Sequence, residues 1–198
     1  MDKGTLRFDF FQLIRPCTGE TLSGDITLVK SVSIGLLAAI VDVSGHGSEA
    51  HELALTLKNE IMGWPDARLT ELMIQLNAVA RASRGAAVGL AMLHSDRSSL
   101  SYVGVGNTSI QKHGRCPWKG ISRDGVLGSR MPTLKEETVD LQEGDVVVLH
   151  TDGLKEHVRP QDYPRLTLET PPAIANNLIK LFGRPYDDVS CIVIKCRA

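Results

Sequence analysis

The sequence predicts an α+β fold in which antiparallel sheets carry helices on their outer faces. Three observations lead there. An apolar run without polar alternation reads as a strand buried on both faces. Two consecutive segments then place apolar residues at helical spacing. Around this helix pair lie strand-like runs separated by turn signals, rather than the strict strand–helix alternation of a doubly wound sheet.

Taken in order, Leu6, Phe8 and Phe10 alternate, which predicts a first strand facing one way into a core. "LSGDITLV" (22–29) opens another strand with a glycine and an acid, and "SIGLLAAIV" (33–41) is the doubly buried one. Ala50, Leu53, Ala54, Leu57 and Ile61 predict a helix that Gly63 and Pro65 end. Leu69, Leu72, Met73, Leu76 and Val79 line one face of the next. Strands follow at "AAVGLAML" (86–93), "LSYVGVG" (100–106), "TVDL" (138–141), "VVVLH" (146–150) and "VSCIVIK" (189–195), with a short late helix at "PAIANNLIK" (172–180). "KHGRCPWKG" (112–120) and "TLETPP" (167–172) read as surface loops.

A length of 198 residues suits one domain over 1–198, with no separate sensor domain. With 42% hydrophobic and 23% charged residues and a net charge of -1, the chain has no electrostatic footprint for nucleic acid or an anionic membrane. "MDKGTLRFDF" lacks the order of a signal peptide, and Ile34 to Val41 is too short to span a bilayer, so a cytoplasmic location is expected. Cys17, Cys116, Cys191 and Cys196 show no C-x-x-C spacing and read as reduced structural thiols.

Acids stand at the ends of four otherwise apolar segments. Asp25 follows a glycine in "LSGDITLV", Asp42 ends a buried strand in "IVDVSGHGSEA", Asp152 ends "VVVLHTDGL", and Asp187 and Asp188 precede the last strand in "RPYDDVSCIVI". Each alone is an ordinary turn or strand-end signal. If the strand ends converge, however, the carboxylates share a volume in which repulsion keeps several protonated unless a cation neutralises them. Hard divalent ions with oxygen ligands meet that need, and two together can activate a water for attack on phosphorus. Gly45, Gly47 and Gly153 then read as openings that let carbonyls and a phosphate approach.

"SGD", "VDVSGHG", "HTDGL" and "DDVS", in that order, resemble the motifs of the metal-dependent PPM (type 2C) serine/threonine phosphatases, in the bacterial SpoIIE/RsbU-like branch. "YVGVGNTSI" (102–110) is similar to that branch's glycine-rich turn, and the resemblance runs over roughly residues 20–195. It implies a four-layer αββα sandwich, two central antiparallel β-sheets flanked by pairs of helices. It also implies a site holding Mn²⁺ or Mg²⁺, two ions together: Asp42 bridges them beside the Val43 carbonyl, Asp152 and Asp187 hold the second, and Asp25 binds directly or through water. Asp188 remains the alternative to Asp187. Asp42 and Asp152 are the residues on which catalysis rests. Arg15 is the candidate phosphate holder, against an ordinary structural arginine, and His46 is read as ordering its loop. His51, His94, His113, His150 and His157 show no ligand spacing and read as surface or strand-end residues.

The function implied is a phosphoserine/phosphothreonine protein phosphatase. Resemblance to the small stressosome phosphatases of that branch suggests phosphorylated STAS-domain proteins as partners, so that dephosphorylation resets a stress signal, with the enzyme acting as a monomer. The competing readings are an inactive pseudophosphatase that only binds phosphoproteins, and a two-metal hydrolase of small phosphate esters or nucleic acid.

Overall fold

The computed structural model describes residues 5–65, 68–155 and 163–198. Strands β1 (Arg7–Arg15), β2 (Asp25–Val32) and β3 (Gly35–Val43) lead into helices α1 (Ser48–Gly63) and α2 (Leu69–Val79). Strands β4 (Ala86–His94), β5 (Ser99–Val105), β6 (Ser109–His113), β7 (Trp118–Lys119), β8 (Ser122–Arg123), β9 (Glu137–Asp140) and β10 (Val146–His150) follow. Helix α3 (Pro171–Phe182) and strand β11 (Val189–Arg197) come last.

The strands form two sheets, one ordered β1-β11-β10-β6-β7 and the other β2-β3-β4-β5-β8 with β9 also on β5. All pairings are antiparallel except the two-residue contact of β5 with β8.

Strand β3 shows why the sheets stack. Its residues alternate between Leu37, Ala39, Val41 and Val43, which pack with Leu57, Ile61 and Met73 of the helix pair, and Leu36, Ala38 and Ile40, which meet Leu149, Ile192 and Ile194 of the other sheet. Burying a side chain such as Ile40 contributes roughly 1.5–3 kcal/mol, so each face of the strand commits it to a neighbour. On the far side, Val148, Cys191 and Val193 pack against Ile174 and Leu178 of α3. The layers therefore run helix pair, sheet, sheet, helix, which is the αββα order. Among the described residues the five-stranded sheet is covered by α3 and a 3-10 turn at Leu166–Leu168 rather than by a helix pair.

Helix boundaries follow local chemistry. Trp64, before Pro65, is extended, as residues preceding proline favour. Lys30 donates to the Met62 and Trp64 carbonyls at 2.7 and 3.1 Å, partnering acceptors that a helix end leaves open. Helix α3 starts on Pro171, where a missing amide costs nothing.

Some expectations need correction. Phe10 is 42% exposed instead of facing a core. The stretch read as a surface loop over 112–120 contains the end of β6 and all of β7. His94, His113 and His150 do end strands, but all three are buried; His157 lies outside the described residues. The four cysteines are free.

Candidate metal centre

The middle layer changes chemistry at one end. On β3 the inward series Leu36, Ala38, Ile40 continues to Asp42, and Asp25 on β2 stands directly opposite it. On the facing sheet the same alternation carries Leu149 on to Thr151, while Ser190 precedes Ile192 on β11. The fully buried Thr151 donates its hydroxyl to Asp25 Oδ2 at 2.7 Å and accepts the Ser190 amide at 3.1 Å. A threonine on one sheet thereby orients a carboxylate on the other. Asp152 follows, with its Oδ2 accepting the Asn107 amide group at 2.8 Å. Asn107 sits in the turn between β5 and β6, so this bond also crosses from the turn to the β10 end.

The two adjacent acids before β11 divide their work. Asp188 is buried, and its Oδ1 and Oδ2 accept the backbone amides of Cys17 and Gly24 at 2.8 and 2.7 Å. Both of its oxygens are thus used in anchoring the segment that leads into β2. Asp187 is the one whose charge meets Asp152 and Asp42.

The glycine of the T-D-G motif belongs to the same packing. A Cβ at Gly153 would lie 1.9 Å from the Asp188 carbonyl oxygen, so this glycine lets two backbone segments touch rather than opening a path for phosphate. Gly45 turns the chain after Val43 at φ 91°, a conformation that side chains disfavour.

Electrostatics identifies the acids as one group. Burial is the largest influence pushing Asp42 up to about 9, followed by the negative charges of Asp25, Asp152 and Asp187. Interaction with the Asp152 side chain adds a further, smaller influence in the same direction, so the protonated form of Asp42 is favoured. Asp25 rises to about 7 through burial, against the opposing hydrogen bonds from Thr151 and Ser190. Asp187 is raised by burial and by Asp152.

These carboxylates converge without closing into a preformed cage: among the described residues no three His, Cys, Asp or Glu groups stand in metal-holding geometry. Their chemistry nonetheless fits hard divalent cations. The convergent donors are carboxylate oxygens, with Val43 in the cleft wall beside them, and their mutual repulsion is what a cation relieves.

The acids open into a cleft of about 890 Å³ lined by Asp42, Asp152 and Asp187 and by Asn107, Lys119 and Asp124. Arg15 is not among its walls, which corrects the phosphate-holder expectation. Phe11 and Leu13 pack on the α3 side, and strand alternation turns Arg15 the same way, where it donates to the Arg184 carbonyl. His46 lines the cleft with its Nδ1 2.9 Å from Glu20 Oε1, a contact that ties the loop after β3 to the segment before β2.

Sequence reasoning missed Thr151, Asn107, Lys119 and Asp124. Thr151 had a signal, since it precedes the motif aspartate and continues the inward alternation of β10. Asn107 had one as well, standing directly after the turn glycine Gly106. Lys119 and Asp124 had none, because their place in the cleft depends on how short strands β7 and β8 attach.

Fold and site together define a PP2C-type serine/threonine phosphatase domain, a class whose members depend on metal. A family model described as Stage II sporulation protein E (SpoIIE) matches residues 34–197, and the chain belongs to that family. Phosphoserine phosphatase RsbX of Bacillus subtilis (strain 168) is 23% identical over 138 residues, 69% of this chain and 69% of that protein. The crystal structure of RsbX in complex with magnesium superposes with a TM-score of 0.80 at 20% identity, covering 99% of this chain and 98% of that one. A structure described with the bacterial stressosome, as a modular system adapted to control secondary messenger signaling, gives a TM-score of 0.89 at 25% identity over 96% and 100%.

Proposed function

We propose that the chain is a Mg²⁺- or Mn²⁺-dependent phosphoserine/phosphothreonine protein phosphatase, with phosphorylated STAS-domain stressosome proteins as its substrates. The observation that carries this reading is the meeting of Asp42 from one sheet with Asp152 and Asp187 from the other in the wall of one open cleft, with Asp25 buried beside Asp42 and paired with it across β2 and β3. Likeness to RsbX and to the stressosome-associated structure supports the substrate class.

In this reading Asp42, with the Val43 carbonyl beside it, would be the ligand shared by two ions, Asp152 and Asp187 would hold the second, and Asp25 would bind directly or through water. When bound, such ions would supply Lewis-acid charge to phosphoryl oxygens and would activate water for attack on phosphorus. The remaining chemistry belongs to the chain. Thr151 and Asn107 hold Asp25 and Asp152 in orientation, and Lys119 brings a positive charge to the cleft wall where a phosphate enters. His46, engaged with Glu20, orders its loop. Among the described residues no helix is long and apolar enough to cross a membrane, which is compatible with action in the cytoplasm.

The test is phosphate release from a phosphoserine-bearing STAS protein with Mn²⁺ or Mg²⁺, and then with excess chelator. Release should depend on the cation, and Asp42→Asn or Asp152→Asn should lower kcat by about a thousandfold with an unchanged circular dichroism spectrum. Turnover retained in both variants would falsify the two-metal assignment. Substrate binding without release by the wild-type chain would instead identify a phosphoprotein-binding module.

A further inference from the structure

Beside the cleft lies a second hollow of about 380 Å³, lined by Cys17, Thr18, Glu20, His46, Pro185 and Tyr186. Cys17, His46 and Tyr186 line both spaces, so the hollow is a shallow, open extension of the cleft. We propose that it is a substrate subsite taking an apolar side chain that flanks the phosphorylated residue, with the Tyr186 ring as its platform. The proposal rests on the phosphatase reading above.

Three observations carry it. Tyr186 is 78% exposed, the most exposed large hydrophobic side chain among the described residues. A ring of this size left in water at a cleft wall gains by being covered, and it does so at little conformational cost. Its position is the second observation: Tyr186 directly precedes Asp187. With the phosphoryl group over the ions that Asp187 would help to hold, the substrate residue next to the phosphorylated one, its Cα about 3.8 Å further along the chain, lies on the side of the cleft that carries the ring.

The third is that the walls are already fixed. Thr18 donates its amide and its hydroxyl to the Pro185 carbonyl at 3.0 and 2.7 Å. The Cys17 amide donates to Asp188 at 2.8 Å, and His46 is hydrogen-bonded to Glu20 at 2.9 Å. With these polar groups used on one another, the hollow offers an incoming side chain the Tyr186 and Pro185 rings and the Cys17 side chain. An acidic side chain there would meet the Glu20 carboxylate, so the hollow favours an apolar neighbour over an acidic one.

The experiment compares p-nitrophenyl phosphate with phosphoserine peptides identical except for Leu, Gly or Asp at the positions flanking the phosphoserine on either side. Each is assayed with Mn²⁺ on the wild-type chain, Tyr186→Ala and Tyr186→Phe. The wild type should favour a Leu peptide over its Gly counterpart by about fivefold or more in kcat/KM, through KM, and disfavour the Asp peptide. Tyr186→Ala should erase that preference, and Tyr186→Phe should keep it because the ring rather than the hydroxyl is the platform. Turnover by the wild type with no discrimination among the peptides overturns the subsite. So does a Tyr186→Ala chain that keeps the preference, or one that loses the same factor on the peptides and on p-nitrophenyl phosphate. A wild-type chain that releases phosphate from a phosphoserine-bearing STAS protein but turns over none of the peptides overturns the subsite alone, and failure on the STAS protein as well overturns the phosphatase reading with it.

Discussion

Thr151 uses its hydroxyl twice, donating to Asp25 and accepting the Ser190 amide, in a place without solvent to substitute for either bond. Thr151→Val preserves the shape and removes both. The expected cost is about 1–3 kcal/mol of stability, because a buried amide and a buried carboxylate each lose a partner. Affinity for Mn²⁺ should fall about tenfold or more, as happens when a group that orients a ligand is removed. Thermal unfolding and titration calorimetry check the two parts separately, and an unchanged ion affinity would mean that the β2 backbone alone sets Asp25. The aspartates could be read from the sequence because each interrupts or ends an apolar run. Which of Asp187 and Asp188 has both carboxylate oxygens engaged by backbone could not, since that depends on the amides of Cys17 and Gly24, far away in sequence. Arg15 misled for a similar reason: its distance along the chain from Asp25 says nothing about the face of β1 on which it falls.

Strands differ in how plainly they announce themselves. The β3 residues are apolar on both faces because helices cover one side and the other sheet covers the second, so the run is continuous and legible. Strand β6, "SIQKH", carries polar residues inward and gives no such pattern. Its Lys112 is almost completely enclosed, with a side chain 2% exposed, and reaches Asp145 Oδ2 at 3.3 Å and the Asp140 carbonyl at 3.1 Å. Burying an ion pair is a poor investment in general, but breaking one leaves a charge without water or partner. Lys112→Ala should therefore destabilise the fold by about 3–5 kcal/mol. That lowers Tm by roughly 6–20 °C for a chain of this size. The pair Lys112→Met with Asp145→Leu should recover most of the loss in the same thermal melt. A double variant no better than the single one would show that the bonds of Lys112 to the Asp140 carbonyl and of the Gln142 amide to Asp145 matter more than the ion pair.

At the scale of the whole molecule the convergent acids make stability depend on pH and on cations. Asp25 and Asp42 hold protons in the folded chain up to about 7 and about 9, well above their ordinary values. Folded-state values raised in this way favour the fold at acidic pH and lose that favour as pH rises through them. In chelator, then, the melting temperature should decline from pH 5 toward pH 9, and saturating Mg²⁺ should remove much of the decline, because a cation binds the ionised acids that the metal-free fold resists. A melting temperature with the same pH slope in both conditions would count against a shared site. Antiparallel sheets with helices on their outer faces were legible from the apolar periodicities, which show which elements have two covered faces, while the αββα order came from the motif resemblance. The covering of the five-stranded sheet was not, since α3 is the late helix on that side and the sequence pattern cannot say what packs beside it. One consequence follows from the way each sheet contributes half of the acids. The spacing between halves is set by the side chains that hold the sheets apart, so Ala38 and Ile40 act as shims. A change of one methylene there should be felt in the spacing of the sheets, since close-packed interiors transmit strain. Selection for catalysis thus reaches residues that no phosphate ever approaches, and the interior of this enzyme is calibrated as well as packed.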